Sequence, residues 1–377
     1  MINKRFPGTD ITASHLGLGA MRLPKQADGS LDEKEAIALI REAVDGGITY
    51  VDTAYPYHDG HSEEVVGRAL KDGYRKKVTL VTKLPIWKVE SRQDMDQVLE
   101  EQLRKLQVDY VDFYLLHAMS ADRLEKMRKL DYQRFLEDKI KEGKIRYPGF
   151  SFHDKESVFL EILNDYDWKL AQVQMNLLDG EYQATLRGIK AAGEKGVGVV
   201  VMEPLRGGAL AKATGEVKAL YDRYPAKRTP VEWALRYLME IPEVVNILSG
   251  MSTRRQVWEN IRIFESVGGQ ALTDDEKALL DKVKNVYLSR IKTGCTGCAY
   301  CQPCPQNVAI PKIFQVYDEA RMLDNGKFSK FYQVTCEKEK DASRCIACGQ
   351  CEGACPQNLP IIRYLKEIHE ETLESRQ

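Results

Sequence analysis

Up to about residue 290, apolar residues along the chain follow two alternating patterns. Short runs of consecutive, mostly β-branched apolar positions are typical of strands buried on both faces of a parallel sheet. Between them, apolar residues recur three or four positions apart, which predicts amphipathic helices. We predict eight strands, at residues 16–23, 48–55, 77–84, 109–117, 145–152, 170–178, 196–205 and 243–250.

The segment after the first strand has helix signals at both ends. Asp32 precedes the periodic run and Glu35 follows three positions later, a combination that predicts an N-cap. Gly46 and Gly47 predict the end of this helix. Residues 122–146 predict one charged helix after the fourth strand, with a buried side made of Leu124, Met127, Leu130, Phe135, Leu136 and Ile140.

Eight strands, each followed by a helix, within about 290 residues predict an α/β fold, a (β/α)8 TIM barrel. A doubly wound dinucleotide fold would need a G-x-G-x-x-G turn after an early strand. The run LGLGAM at residues 16–21 has G-x-G without the third glycine. The pattern therefore favours the barrel over the open sheet.

Eight of the nine cysteines lie in two short runs after residue 294. The second run has the C-x2-C-x2-C-x3-C-P spacing of bacterial ferredoxin clusters, and the first run has one residue fewer before its last cysteine. Zinc is the alternative metal, but zinc sites usually take two separated pairs of ligands. We predict two [4Fe–4S] clusters, held by Cys295, Cys298, Cys301, Cys304, Cys345, Cys348, Cys351 and Cys355.

The similar segments CPQNVAI at 304–310 and CPQNLPI at 355–361 mark the two cysteine runs as an internal repeat. In two-cluster ferredoxins, the fourth cysteine of a run binds the other cluster. We therefore expect Cys304 to join the second run's cluster and Cys355 to join the first. Cys336 lies outside both runs and is predicted to be a small buried apolar residue.

The composition of the chain limits the cellular compartments and the kinds of partner that we expect for it. The chain has 377 residues and is 43% hydrophobic, enough for a core without a disulfide framework. We expect a cytoplasmic, reducing environment, because the N-terminus lacks an apolar leader and no stretch has the length of a membrane span. Fifty-five basic and fifty-six acidic residues give a net charge of −1, which predicts no nucleic-acid partner.

These observations predict two domains. The barrel is expected at residues 1–290, and a small α-helical ferredoxin-like domain with both clusters at residues 291–377. Residues 283–294 are predicted to form the hinge between them.

Polar residues end several of the otherwise apolar strands. Active-site residues of TIM barrels lie at the carboxyl ends of the strands. Asp52 and Tyr57 follow the second strand, Lys83 ends the third and His117 the fourth. Each has a structural explanation when taken alone, as a cap, a snorkelling lysine or a core histidine. Together they predict four ionisable groups at one mouth of the barrel.

These residues occur within a series of motifs that resembles the aldo-keto reductase superfamily. The motifs are GGITYVDTAYPY, SEEVVGRAL, VTK, DFYLLH, GFS, QVQMN, MEPLRGG and SGMSTRRQVWEN, and the resemblance covers residues 10–290. With the cysteine repeats, the chain is similar to bacterial and archaeal members that carry an appended ferredoxin domain. The resemblance implies a barrel that binds a nicotinamide nucleotide without a Rossmann motif, and a catalytic tetrad of Asp52, Tyr57, Lys83 and His117.

The resemblance also implies the nucleotide contacts. Ser151 and Gln172 would bind the nicotinamide carboxamide, and Met202 replaces the aromatic residue that often stacks on the ring. NADP is preferred over NAD because Arg254 and Arg255 are candidates for its 2′-phosphate. The remaining implied cofactor contacts are Gly19, Ala20, Met21 and Asp52, together with Glu203, Pro204, Leu205 and Arg206 at the pyrophosphate and Gly250, Ser252, Gln256, Glu259 and Asn260 at the adenosine.

The tetrad has a chemical rationale. A free phenol, with a pKa of about 10, is a poor acid near neutrality. A nearby ammonium should lower that pKa, so Lys83 is expected to activate Tyr57 while Asp52 holds Lys83 in place. His117 would donate a hydrogen bond to the substrate oxygen. Tyr55 is the alternative phenol, three residues after Asp52.

The predicted function is NAD(P)H-dependent reduction of a small-molecule carbonyl by an aldo-keto reductase-type enzyme. Its clusters would be structural or would transfer electrons to a redox protein partner. Two alternatives are an electron carrier whose barrel is mainly a docking module, and a protein whose clusters sense redox state. An intact tetrad favours the enzyme. Trp87, His58 and His153 are candidate pocket residues.

Overall fold

A computed structural model of the chain describes residues 1–295, 297–323 and 328–374. The chain divides into two compact units. The first comprises Met1–Lys212 and Arg228–Lys277, and the second comprises Ala213–Lys227 and the chain from Ala278 onward. Within the described residues, no helix combines the length and the apolar character that crossing a membrane requires.

The first unit is a closed barrel of eight parallel strands in sequential order, in which the last strand pairs back to the first. All eight predicted strands are confirmed. A short antiparallel pair of strands that precedes the barrel was not predicted. The strands are β1 Asn3–Arg5, β2 Thr12–Ser14, β3 Leu16–Gly19, β4 Tyr50–Asp52, β5 Thr79–Leu84, β6 Val111–Met119, β7 Ile145–Phe152, β8 Leu170–Gln174, β9 Gly198–Met202 and β10 Val244–Ser249.

The interior of the barrel is filled by apolar side chains, and polar side chains lie at the mouth formed by the carboxyl ends of the strands. The ring of Phe6 stacks on Tyr50, with centroids 5.8 Å apart, and lies 4.9 Å from Phe113. In the strand register Gly19 lies beside Asp52, at the carboxyl ends of β3 and β4. The polar residues at strand ends therefore meet above a filled core, as in other TIM barrels.

Helices cover the outside of the barrel. Asp32 caps the first one by accepting a hydrogen bond from the Glu35 amide at 3.0 Å, and Gly46 ends it, which confirms both signals. The helices of this unit are α1 Glu33–Asp45, α2 Ser62–Ala69, α3 Arg92–Leu106, α4 Ala121–Lys129, α5 Tyr132–Lys141, α6 Glu156–Asp165, α7 Thr185–Glu194, α9 Pro230–Met239 and α10 Arg254–Glu265.

Two details of the predicted helices were wrong. The single helix predicted at 122–146 is two helices, α4 and α5, because the chain breaks at Asp131, where φ is 52°. Leu130 and Ile140 are only partly buried. Residues 283–289 of the predicted hinge belong to α11, Asp274–Ser289, and the hinge itself stays a prediction.

The second unit is helical and has its own apolar core. Cys336 is 6% exposed within that core, so the prediction that it is a buried apolar residue is confirmed. Side chains of α12 and α15, including Phe314 and Leu365, pack in the same cluster. Besides part of α11, its helices are α8 Gly215–Arg223, α12 Ile310–Leu323, α13 Phe328–Thr335, α14 Gln350–Ala354 and α15 Ile361–Glu374.

Candidate active site and cluster site

A cavity of about 570 Å³ opens at the carboxyl ends of the barrel strands. Asp52 is the last residue of β4, Lys83 lies in β5, and His117 lies near the end of β6. Tyr57 begins a short 3-10 helix after β4. All four side chains line the cavity, so the structure brings the predicted tetrad together.

Lys83 is the centre of this group. Its Nζ donates to Asp52 Oδ1 at 2.6 Å, to the Thr53 carbonyl at 2.8 Å and to the Tyr57 hydroxyl at 3.3 Å. Lys83 is 1% exposed and Asp52 is 2% exposed. Burial alone would lower the pKa of Lys83, but Asp52 and Tyr57 outweigh it and the pKa is raised. Lys83 is therefore a buried ammonium held by a carboxylate and aimed at a phenol.

The structure separates the two candidate phenols. Tyr57 lies against Lys83, whose Nζ is 4.9 Å from the ring centroid. The Tyr55 hydroxyl instead contacts Glu101 at 3.2 Å and accepts from Lys88 Nζ at 2.8 Å. The geometry therefore favours Tyr57 over Tyr55 as the phenol of the tetrad.

Lys83 lowers the pKa of Tyr57, as expected, but burial has the larger effect. Burial raises the pKa of Tyr57 above its ordinary value, and the opposing charge of Lys83 does not overcome it. Asp52 and Glu203 raise it further. In this structure Tyr57 is therefore protonated at neutral pH, which is the form that can donate a proton.

His117 lies beside Tyr57 in the cavity. The two ring centroids are 6.2 Å apart at an interplanar angle of 82°, and the Trp87 ring is 5.1 Å from His117. Burial, aided by the charge of Lys83, lowers the pKa of His117 to about 2. Its buried Nδ1 has no hydrogen-bond partner within the part of the chain that the structure describes. The imidazole is therefore neutral and can act as a hydrogen-bond donor.

The loop that carries Tyr57 is tied to the turn after β3. His58, Asp59 and Gly60 have φ values of 52°, 56° and 91°, an unusual run of left-handed residues. His58 Nε2 lies 3.2 Å from the Leu23 amide and 3.1 Å from the Ala20 carbonyl. The strained loop and the β3 turn thus support each other at the edge of the cavity.

Most of the implied nucleotide contacts line the same cavity as the tetrad. Two do not: Ala20 is fully buried behind it, and Arg206 pairs with the buried Asp179, its Nη1 2.7 Å from Oδ1. The residues that do line it are Gly19, Met21, Asp52, Ser151, Gln172, Met202, Glu203, Pro204, Leu205, Gly250, Ser252, Gln256, Glu259 and Asn260.

Gln172 tests whether the cavity fits a nicotinamide. It is 2% exposed, and its Oε1 lacks a hydrogen-bond partner among the described residues. Its Nε2 faces the Met202 sulfur at 3.8 Å. Ser151 Oγ accepts from the Ala118 amide at 2.7 Å, which leaves the hydroxyl proton to donate. A buried acceptor and a nearby donor match the two groups of a carboxamide.

The two arginines that the sequence suggested for a 2′-phosphate both contact carboxylates. Arg254 donates to both carboxylate oxygens of Glu35, at 2.8 and 2.9 Å. Arg255 pairs with Glu259 at 2.6 Å. Gln256 Oε1 accepts from the Ser252 amide at 2.7 Å. Both candidate arginines are therefore already paired with carboxylates.

Sequence reasoning missed Arg22, which lines the cavity. The predicted first strand included it, but β3 ends at Gly19, so Arg22 lies beyond the strand end, where functional residues are expected. Its side chain packs so closely on Gly250 that a Cβ there would lie 3.2 Å from it. A basic residue at the carboxyl end of the otherwise apolar predicted strand was the available signal.

The eight cysteines of the two runs surround two concave sites in the second unit. Cys301 lines both. Among described residues, no group of three His, Cys, Asp or Glu side chains is placed to hold a single metal ion. One site is lined by Cys295, Cys298, Cys301 and Cys355, and the other by Cys301, Cys304, Cys345, Cys348 and Cys351.

The grouping of the thiols supports the crossed arrangement. One site combines the first three cysteines of the first run with Cys355, and the other combines the first three cysteines of the second run with Cys304 and also with Cys301. Burial raises the pKa of Cys295 and Cys301, and the nearby Cys355 contributes to both shifts. These donor sets match the two [4Fe–4S] clusters predicted from the spacing.

Asp318 fixes the segment that leads into the first run. Its Oδ1 accepts from the Lys292 amide at 2.9 Å and from the Thr293 amide at 2.7 Å, and its Oδ2 accepts from the Thr293 hydroxyl at 2.5 Å. Thr293 Oγ1 in turn accepts from the Cys295 amide at 3.2 Å. A carboxylate on α12 thus positions the first cysteine.

Comparison with known proteins extends these observations. Residues 15–285 match the aldo/keto reductase family, and residues 294–359 match the 4Fe-4S dicluster domain. The aldo-keto reductase YhdN of Bacillus subtilis is 42% identical over 117 residues, which cover 29% of this chain and 35% of that protein.

Two longer matches cover most of the barrel. The NADH-specific methylglyoxal reductase of Escherichia coli is 29% identical over 67% of this chain and 90% of its own length. A solved aldo/keto reductase from Klebsiella pneumoniae, in complex with NADP and acetate, is 26% identical with a TM-score of 0.59, and the match covers 74% of this chain and 94% of that one. The chain therefore belongs to the aldo/keto reductase family of oxidoreductases and carries a 4Fe-4S dicluster region after its barrel.

Proposed function

We propose that the barrel is an NAD(P)H-dependent carbonyl reductase in which Tyr57 is the proton donor. The observation that carries this proposal is the chain of contacts from Asp52 through the buried Lys83 to the Tyr57 hydroxyl, at 2.6 and 3.3 Å, on the wall of the cavity. In the overall reaction, a carbonyl compound, NAD(P)H and one proton give an alcohol and NAD(P)+. The bound nucleotide supplies the hydride that reduces the carbonyl carbon.

The residues of the chain supply the proton and the surroundings of the carbonyl oxygen. Burial raises the pKa of Tyr57, so its hydroxyl keeps its proton until charge develops on the substrate oxygen. Lys83 stabilises the phenolate that forms after transfer, and Asp52 keeps Lys83 in place. His117, neutral because burial lowers its pKa to about 2, donates a hydrogen bond to the same oxygen.

The nucleotide would lie along the remaining wall of the cavity. Gln172 Oε1 and the Ser151 hydroxyl would bind the carboxamide, and Glu203 to Leu205 with Gly250 to Asn260 would line the rest. One relative is an NADH-specific reductase, and a solved relative was obtained with NADP. Arg254 and Arg255 each pair with a carboxylate, so a 2′-phosphate would share these side chains with Glu35 or Glu259. Both NADPH and NADH should therefore be tested.

We propose that the dicluster region holds two [4Fe–4S] clusters that exchange electrons with a redox protein. Cys298 and Cys348 are exposed, which would place an edge of each cluster near the surface. A cluster passes electrons singly, whereas the nicotinamide gives up two together as hydride. The clusters are therefore assigned to exchange with a partner rather than to the carbonyl reaction.

The central test compares Tyr57→Phe with Tyr55→Phe in anaerobically purified protein. Reduction of methylglyoxal, the substrate named for one relative, is followed with NADPH and with NADH. Tyr57→Phe should lower kcat by about 10²–10⁴, the usual contribution of a general acid. Nucleotide affinity and iron content should be retained in both variants. Equal loss in both variants, or full turnover by Tyr57→Phe, would show that Tyr57 is not the donor.

A further inference from the structure

The guanidinium of Arg123, in the first turn of α4, differs from the other basic groups of this helix. Its Nη1 donates to the Ala118 carbonyl at 2.5 Å, and the structure gives it no ion pair within the described ranges. By contrast Lys126 pairs with Glu90, Arg128 with Asp165 and Lys129 with Glu125. Arg123 therefore keeps its positive charge and several hydrogen-bond donors available.

Arg123 does not line the cavity itself but is linked through Trp87 to His117 on the cavity wall. Its Cζ is 5.6 Å from the centroid of the Trp87 ring, which in turn is 5.1 Å from the His117 ring. Both His117 and His153 line the cavity. Burial lowers the pKa of both imidazoles, and the charge of Arg123 adds to each shift. The guanidinium thus acts on the two imidazoles nearest the proposed carbonyl position.

The other charges around the cavity determine where an anion is favoured. Lys83 is already neutralised by Asp52 at 2.6 Å. Glu203 acts on Tyr57 and His153, and its Oε2 accepts from the Gly207 amide at 2.5 Å. An anion near Glu203 would be repelled, whereas an anion near Arg123 would meet a cation that forms no ion pair among the described residues. Arg22 on the cavity wall also forms no ion pair there, but its side chain packs on Gly250, where the nucleotide is proposed to lie.

Trp87 favours a substrate with a flat apolar body. Its ring is 44% exposed and lies between Arg123 and His117, so it offers an apolar face along the path from the guanidinium to the tetrad. A flat apolar body could lie there with one end at each group. Arginine is well suited to the anionic end, because its planar fork binds a carboxylate through two parallel hydrogen bonds.

We propose that the carbonyl substrate of this enzyme also carries a carboxylate, which binds Arg123 while the body of the substrate lies against Trp87 and the carbonyl reaches Tyr57 and His117. This proposal rests on the proposed reductase function and adds the substrate class. Arg123 is then a residue that determines specificity through binding.

The test uses two aldehydes that differ in one charge, 4-carboxybenzaldehyde and its methyl ester. The wild-type enzyme should reduce the acid with the higher kcat/KM. Arg123→Gln should lower the acid-to-ester ratio of kcat/KM by about 10-fold or more, as expected for a charge-assisted hydrogen bond. The loss should appear mainly in KM, because the contact is the same in the ground and transition states. Lys129→Gln, with the same charge change on the same helix, should leave the ratio unchanged.

A binding measurement separates this proposal from the reductase proposal. Benzoate should bind the wild-type protein in calorimetry and benzamide should not, and Arg123→Gln should abolish benzoate binding. If neither aldehyde is reduced but benzoate binding follows this pattern, the reductase proposal fails and the anion site stands. Absence of benzoate binding, or an acid-to-ester ratio that Arg123→Gln does not change, would overturn the assignment. The melting temperature and iron content of each variant verify that it is folded.

Discussion

Replacing Lys83 by methionine should destabilise the barrel strongly. Methionine fills a similar volume but removes the ammonium that donates to Asp52 Oδ1, the Thr53 carbonyl and the Tyr57 hydroxyl. Asp52 is 2% exposed, and its Oδ2 already lacks a partner among the described residues, so the variant leaves a buried carboxylate uncompensated. Breaking a buried ion pair in this way costs about 3–5 kcal/mol.

Lys105→Met is the matched control. Lys105 pairs with Glu101 at 2.8 Å, but the two side chains are 17% and 31% exposed. Removing such a partly exposed pair should cost about 0–1 kcal/mol. Both variants make the same chemical change, so the difference between their losses of stability measures the effect of burying the ion pair.

Urea unfolding, monitored by tryptophan fluorescence, measures the stability of the first unit, which contains Lys83. All four tryptophans, Trp87, Trp168, Trp233 and Trp258, belong to the first unit. A loss of 3 kcal/mol should lower the urea midpoint by about 1 M or more, given m-values of about 1–3 kcal/mol/M. Carbonyl reduction should fall with it, because Tyr57 loses its cation.

The pH dependence of the stability of Lys83→Met, and a double variant, test whether the unpaired Asp52 carboxylate causes the loss of stability. Burial raises the pKa of Asp52, and without Lys83 the carboxyl binds a proton more readily in the folded state than in the unfolded state. The penalty should therefore shrink as the pH falls from about 8 to about 5. Asp52→Asn combined with Lys83→Met should be more stable than Lys83→Met alone. A Lys83→Met protein within about 0.5 kcal/mol of wild type, or a double variant without recovery, would refute the buried ion pair.

Three further results are expected. Because burial lowers the pKa of His117 from 6.5 to about 2, kcat/KM for reduction should show no acid limb from this group near pH 6.5, and such a limb lost in His117→Gln would contradict the neutral imidazole. Cys304→Ser should perturb the cluster of the second run and Cys355→Ser that of the first, as resolved by EPR of the reduced protein; the reverse assignment would exclude crossing. Asp318→Ala should release iron to a chelator faster than wild type, since it frees the segment before Cys295, and an unchanged release rate would contradict that role.

The sequence alone determined most of the fold. Short runs of consecutive apolar residues are typical of strands in a parallel sheet that is covered on both faces. Eight such runs in series, each followed by a helix, predict a closed barrel. The order of polar residues at the strand ends then identified Asp52, Lys83 and His117, because those ends meet at one mouth. Cysteine spacing similarly predicted the 4Fe-4S dicluster region, since spacing is a local property of the chain.

Tertiary structure decided what depends on neighbours distant in sequence. The family resemblance favoured Tyr57 over Tyr55, but the physical difference between them comes from the fold, which brings Lys83 to Tyr57 and Glu101 to Tyr55. The pKa of Tyr57 rises rather than falls because burial outweighs one nearby cation, and burial is a sum over the whole fold. The fold also decides whether an arginine forms an ion pair. Arg254 pairs with Glu35, which lies 219 residues away in the sequence, whereas Arg123 pairs with no carboxylate among the described residues.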